Sequence, residues 1–271
     1  MSEPLVTALI AAATALGTTA LSLFAAGRIE HRRRADEEQR YREGRAEALE
    51  RVLSLYRDPL LRAALDLQSR IYNIEARDFF AYYRDGTESE RSYAIDHTLY
   101  VFAEYFGWTE ILRREIQFLN LGDVERTREV RRALDAVSET FLTNEIEGAS
   151  FRIFRGHQRA IGEIMMTPMQ SQGDDPGRRC ETIGFAAFVQ RLPDESFNRW
   201  FTDLRSHVLA LAGDPTLHVK RLVLIQHALV GLFGIMDPHH VRADPALLTK
   251  LPAAIPDRET HAGRAPGAVR P

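Results

Sequence analysis

From Pro4 to Gly27 the chain runs for 24 residues without a charged side chain. Nothing else in the sequence restricts its folding as strongly. As an α-helix the stretch is about 36 Å long, enough to cross a hydrocarbon core of roughly 30 Å with some tilt. Its hydrophobicity is moderate, because eight positions are Ala and four are Thr. Leu, Val, Ile and Phe residues supply the favourable transfer energy, about 0.3–0.6 kcal/mol each. The flanking charges set the orientation. Only Glu3 precedes the stretch, whereas Arg28, Arg32, Arg33 and Arg34 follow it. A cleaved secretory peptide carries its positive charge ahead of a shorter apolar run. The order found here fits an uncleaved anchor whose C-terminal side stays inside the cell.

The expected architecture is therefore all-α, with a transmembrane anchor over 1–27, a charged helical stalk over 28–48, a cytoplasmic multi-helix domain over 49–250 and a disordered tail over 251–271. The expected location is the cell membrane, single-pass, N-terminus outside. The lipid bilayer is one partner, and Arg28, Arg32, Arg33 and Arg34 should meet its headgroups at about 1 kcal/mol per charge. Ala11, Ala15 and Thr19, with Ala13 and Gly17, place small residues four apart, a face suited to homo-oligomer formation in lipid.

In the stalk, Asp36 with Arg40, Glu38 with Arg42 and Glu47 with Arg51 are acid-before-base pairs at i,i+4, which support a solvated helix. In the body, Leu60, Ala64, Leu67, Ile71 and Ile74 form one apolar stripe after Asp58-Pro59, a pair that predicts a helix start or kink. Further helices are expected around Ile95 to Leu119, interrupted at Leu121-Gly122-Asp123, and around Val130, Leu134, Val137 and Phe141. Phe151 to Phe154 alternates like a short strand before a helix reaching Met165. Pro168 to Arg179 has the composition of a flexible loop. Asp194 caps a helix carrying Phe197, Trp200, Phe201, Leu204, Val208 and Leu211 on its inner face. Leu222 to Met236 is apolar nearly all round, but too short and too polar at Gln226 and His227 to be a second span. It reads as a buried central helix. No convincing strand pairing is predicted elsewhere.

The search for chemistry is mostly negative. A net charge of -3 gives no reason to expect nucleic acid, and the single Cys180 fits a reducing compartment. Of 35 basic residues only Lys220 and Lys250 are lysine, a bias that fits a genome rich in G and C. None of the nine histidines belongs to an HExxH or Glu-x-x-His motif. Asp96-His97 reverses the order found in HD-type phosphohydrolases. No metal site, cofactor or catalytic residue is assigned. Two polar positions are expected in the core, Gln68 and His227, where burial obliges hydrogen bonding. Arg155, His157 and Arg159 form the densest polar cluster and are the candidates for an anion or partner site. Arg159 and Glu163 can also pair with each other at i,i+4.

The stretch Leu55-Tyr56-Arg57-Asp58-Pro59-Leu60-Leu61, followed by Asp66 to Ile74, resembles a phrase from bacterial single-pass membrane-anchored helical proteins. The resemblance covers about twenty residues, with weaker echoes near Gln158-Arg159-Ala160-Ile161-Gly162-Glu163, and implies the same architecture; no activity comes with it. The functional expectation is a membrane-anchored helical interaction or regulatory module with an unidentified protein partner. The alternative is a membrane-tethered metal-dependent phosphohydrolase whose histidines converge only in the fold.

Overall fold

A computed structural model describes residues 3–118, 125–146, 150–168, 180–214, 216–217 and 219–252. Within its helices, the side chains of 3–27, 29–31, 35, 46, 49–54, 116–118 and 125–127 fall outside that description. The described residues are mostly helical, as the apolar periodicity predicts. The chain divides into two compact units, 1–51 and 52–271.

The first unit is the N-terminal part of helix α1 (Glu3–Ala76). The backbone of 4–27 is helical, but the side chains that would meet lipid lie outside the described residues. Among the described residues, no helix is long and apolar enough to cross a membrane. Beyond it, Arg28, Arg32, Arg33 and Arg34 are exposed. Of the predicted stalk pairs, Glu38 and Arg42 form at 3.3 Å, joined by Arg33 and Glu37 at 3.2 Å in the reverse order. Each exposed pair of this kind adds about 0.3–0.5 kcal/mol.

In the second unit α1 runs through Pro59 without starting afresh there. A proline inside a helix costs about 3 kcal/mol, since it leaves the carbonyl four residues earlier without its donor. On both sides of it Tyr56, Leu60, Leu61, Leu67 and Ile71 are buried. At about 1.5–3 kcal/mol per large apolar side chain, that stripe outweighs the proline. Helix α2 (Phe79–Arg84) follows, a short aromatic turn that the sequence reading left out.

Helix α3 (Glu88–Phe118) is one unbroken element. It opens on a capping box: Thr87 N donates to Glu90 Oε2 at 2.7 Å, and Glu90 N donates back to Thr87 Oγ1 at 3.3 Å. The predicted break at Leu121 to Asp123 lies outside the described residues. Helix α4 (Glu125–Leu142) buries Val130, Leu134, Val137 and Phe141, the predicted stripe. Phe151 to Phe154 is not a strand. Phe151 has φ of 55°, and Ile153 N donates to Phe141 O at 3.0 Å, which turns the chain into helix α5 (Arg155–Met165).

Two strands do occur, against expectation. Strand β1 (Met166–Pro168) pairs antiparallel with β2 (Cys180–Thr182), Met166 opposite Thr182 and Pro168 opposite Cys180. Three residues are too few for alternation to be visible in sequence. The loop expected over Pro168 to Arg179 lies, from 169 on, outside the described residues. So does the disordered tail expected over 251–271, from 253 on; its first residue, Leu251, is instead buried and bonded to Gln226.

Helix α6 (Phe185–Arg191) leads to α7 (Glu195–Asn198), which Asp194 caps by accepting from Ser196 N. A 3-10 turn (Arg199–Phe201) then joins α8 (Thr202–Gly213), and the predicted inner face is buried at Phe197, Phe201, Leu204, Val208 and Leu211, while Trp200 is only half-buried. Helix α9 (Lys220–Met236) packs against α4, while α3 packs against α5 and α8. The apolar reading began α9 at Leu222 and so passed over Arg221, which is 1% exposed. Its guanidinium donates to the carbonyls of Thr140 at 2.9 Å, Thr143 at 3.1 Å and Ser150 at 3.1 Å. It thereby satisfies carbonyls at the C-terminal end of α4, where a cation also complements the helix dipole.

Candidate functional site

Gly162 sets the geometry of the most distinctive region. A Cβ there would lie 2.6 Å from the Phe106 carbonyl oxygen and 2.7 Å from Glu110 Cβ. Only a residue without a side chain lets α5 lie this close on α3. Helices α3 and α4 meet through Phe102, Phe106 and Phe141, with ring centroids 6.1 and 5.1 Å apart. On the C-terminal side of that contact along α3, and the N-terminal side along α4, a cavity of about 350 Å³ opens, bounded also by the start of α5.

Each helix supplies one face to it. From α3 come Tyr105, Phe106, Thr109, Glu110 and Arg113; from α4 come Arg131, Leu134, Asp135 and Ser138; from α5 come Arg155, Gln158 and Arg159. Within each set the spacing is mainly three and four, the helical rule for residues on one side.

The charges are unevenly matched. Glu110 has only 2% of its side chain exposed. It accepts from Arg113 at 2.6 Å and from Arg114 at 2.7 Å. Burial opposes its charged form, but those two guanidiniums outweigh burial and hold the carboxyl below its usual range. Arg114 reaches on to Glu163 at 2.9 Å. Arg155 is held by Asp135 at 3.4 Å and by Glu139. Arg159 has its nearest carboxylate, Glu110, at 3.8 Å. Its predicted i,i+4 partner Glu163 is engaged with Arg114. Arg131 is exposed and forms no ion pair among the described residues.

The neutral groups divide as sharply. Gln158 is buried and fully used: its amide donates to Ile153 O at 2.8 Å and Ser138 O at 3.1 Å, and it accepts from Ser138 Oγ at 2.7 Å. Tyr105 Oη and Thr109 Oγ1 are buried one turn apart on α3, neither in hydrogen-bond geometry with any group among the described residues. Burial raises the Tyr105 phenol's pKa, and the neighbouring Thr109 hydroxyl opposes that only in part.

Of the three residues singled out in sequence, Arg155 and Arg159 line the cavity and His157 does not. Two residues along a helix is a turn of about 200°, which sends His157 to the far side. There its Nδ1 lies 3.9 Å from Asp203 and its ring 6.0 Å from that of Trp200. Glu110, Tyr105, Thr109 and Arg131 were not singled out. The available signal was the polar line Tyr105, Thr109 and Arg113, spaced by four along an otherwise buried helix.

The two expected core polar residues also separate. Gln68 is buried, 1% exposed; His227 is half-buried, and the fully buried neighbour is Gln226. Adjacent residues differ by about 100° around a helix, so Gln226 faces fully inward where His227 is only partly covered. Gln226 Nε2 donates to Gln68 Oε1 at 3.1 Å and to Thr249 O at 2.9 Å. Gln68 Nε2 donates to Leu247 O at 2.8 Å, and Leu251 N donates to Gln226 Oε1 at 3.2 Å. His227 Nε2 lies 2.6 Å from Leu251 O. These side chains fasten the segment 247–251 across α1 and α9.

A third polar cluster lies between α1 and α3. An Arg70 guanidinium N–H donates to His97 Nδ1 at 2.7 Å, and the rings of Tyr93, Tyr100 and Phe185 surround the imidazole. Burial, then the charge of Arg70, lowers the His97 pKa to about 4, so the ring is neutral at pH 7.

Among the described residues no group of three or more His, Cys, Asp or Glu is placed to hold a metal ion. The convergence of histidines on which the phosphohydrolase alternative depends is thus not found among them. Fold and cavity together define a helical domain with an arginine-lined pocket. No family model, curated protein or solved structure matches the chain.

Proposed function

We propose that the protein is a membrane-anchored helical module with an interaction or regulatory role. The carrying observation is the run of 24 charge-free residues from Pro4 to Gly27, bounded by Glu3 before it and four arginines within seven residues after it. That asymmetry supports an N-terminus outside and a helical body on the cytoplasmic side. The exposed stalk arginines then lie beside anionic headgroups. The small-residue face of the same segment supports self-association in the bilayer. The body's polar residues fasten helices to one another, and the cavity offers a place for a ligand to act on them; both favour a binding role over catalysis.

Membrane fractionation tests the anchor. The full chain should stay with membranes through high salt and alkaline carbonate, whereas a chain beginning at Leu49 should be released. Extraction of the full chain by salt alone would remove the anchor from the reading. Orientation is tested at Cys180, which is partly exposed. A membrane-impermeant maleimide should label it only after cells are opened; labelling in intact cells would reverse the topology.

A further inference from the structure

We infer that the cavity between α3, α4 and α5 binds a small organic dianion, of which a phosphate monoester on an apolar body is the simplest form. The inference is independent of the anchor, because the cavity lies wholly within the unit 52–271.

Size comes first. About 350 Å³ is room for a small molecule, at the lower end of the roughly 300–1,000 Å³ typical of ligand sites. Charge then selects the ligand. The lining holds four arginines, Arg113, Arg131, Arg155 and Arg159, against two carboxylates, Glu110 and Asp135, a surplus of two positive charges. The carboxylates are already engaged, Glu110 by Arg113 and Arg114, Asp135 by Arg155. The surplus therefore falls on Arg131, which has no ion pair among the described residues, and on Arg159, whose nearest carboxylate is 3.8 Å away.

Guanidinium groups offer paired donors that match phosphate and carboxylate oxygens, and a phosphate monoester carries about −1.5 to −2 at pH 7. One such group balances the surplus; a single carboxylate does not. Beside the arginines, Phe106, Leu134 and the ring of Tyr105 form an apolar wall for the ligand's body. The Tyr105 and Thr109 hydroxyls are buried behind that wall with no hydrogen-bond partner among the described residues. Gln158, with all its bonds made, contributes shape only.

The same phosphate monoester could arrive on a soluble metabolite or on a lipid headgroup. Titration calorimetry on the full chain in neutral detergent distinguishes them. The probes are phenyl phosphate, dihexanoyl phosphatidic acid below its micellar concentration, benzoate as a monoanion and benzylamine as a cation. Saturable binding of at least one phosphate probe is expected, at least tenfold tighter than benzoate, with no binding of benzylamine. Tenfold tighter binding of phenyl phosphate assigns the site to soluble ligands, and the reverse order assigns it to headgroups; either supports the site. Arg131→Gln should weaken binding at least tenfold, and Arg131→Gln with Arg159→Gln should abolish it. Arg34→Gln in the stalk should leave it unchanged, and circular dichroism should show every variant folded. The inference is overturned if neither phosphate binds saturably, if benzoate binds as tightly, or if the double variant binds like the parent. Failure here leaves the fractionation result untouched, and the converse also holds.

Discussion

Of the places in the unit 52–271 that bury polar side chains between helices, two end in opposite conditions. Where α1 and α9 meet, Gln68 and Gln226 bond each other and the backbone of 247–251, with both amide groups used. Between α3, α4 and α5, and among the described residues, the Tyr105 and Thr109 hydroxyls have no partner and Arg131 has no ion pair. A closed network rigidifies a fold and offers a ligand nothing. An open one costs stability and is the place where an incoming group finds donors waiting. Burial of a polar residue alone does not separate the two cases; the partner list does.

The largest effect expected is on the open side. Gly162→Leu drives a side chain into the Phe106 carbonyl and Glu110 Cβ, neither of which can swing away. A loss of about 3 kcal/mol is expected, at the upper end for overpacking. Urea unfolding of the full chain in mild detergent would measure it. A loss below 1 kcal/mol would mean that α5 can slide on α3 and that the cavity has no fixed shape.

Next is the closed side. Gln226→Leu leaves Gln68 Oε1, Thr249 O and Leu251 N without their partner. Stranding buried polar groups costs about 1–3 kcal/mol, so a loss of about 2 kcal/mol is expected. Hydrogen exchange at the Leu251 amide should accelerate with it. An unchanged Leu251 rate would show that the segment is held by its apolar residues, Leu248 and Leu251, and that the amide pair is incidental.

The two regions were not equally legible in sequence. Gln68 stood out because a polar residue on an apolar helical line has few explanations, and one helix suffices to see it. Periodicity likewise sufficed for the buried face of α4, apolar composition for the burial of much of α9, and a local capping rule for Asp194. The cavity needs three helices, and its shape depends on how closely two of them approach at Gly162, which no local pattern encodes. Arg155 and Arg159 were visible as charge beside apolar spacing; Arg131, with nothing to mark it on an exposed helix face, was not. Pro59 misled because its local cost was legible while the buried stripe that offsets it was weighed only as a separate feature. Strands β1 and β2 exist through pairing with each other, so neither could be seen alone.

The Arg70 and His97 pair belongs with the closed network, but only while the imidazole is neutral. Its folded pKa is lowered to about 4 from the ordinary 6.5, so the unfolded chain binds the extra proton first as pH falls. The stability from this site is complete above pH 6.5 and is lost as pH drops toward 4. Asp66 and Glu104 nearby, both raised chiefly by burial, act in the opposite sense. Because His97 is only half-buried, solvent screening reduces the full linkage to about 1 kcal/mol. His97→Gln retains an acceptor for Arg70 but cannot titrate. The parent should therefore lose about 1 kcal/mol more than this variant between pH 7 and 4.5. Parallel stability profiles would place His97 in contact with solvent in both states.

The smallest expected effect is the most direct test of the contrast. Tyr105 is 2% exposed, and its Oη makes no hydrogen bond among the described residues. Tyr105→Phe keeps the ring that packs against the core and removes only the hydroxyl. A buried hydroxyl with a good partner contributes about 1 kcal/mol on balance, whereas one without a partner carries its desolvation cost uncompensated. The change should therefore be neutral within about 0.5 kcal/mol, or slightly stabilising, where Gln226→Leu costs several times as much. Unfolding without added ligand at pH 7 gives the comparison, and a cycle with Thr109→Val tests the nearest neighbour. A coupling near zero is expected, since neither hydroxyl is in hydrogen-bond geometry with a group among the described residues. A loss above 1 kcal/mol for Tyr105→Phe, removed again in the Thr109→Val background, would show that the pair is bonded in solution. The α3 wall would then be as closed as the glutamine pair, and recognition in the cavity would fall to the arginines alone.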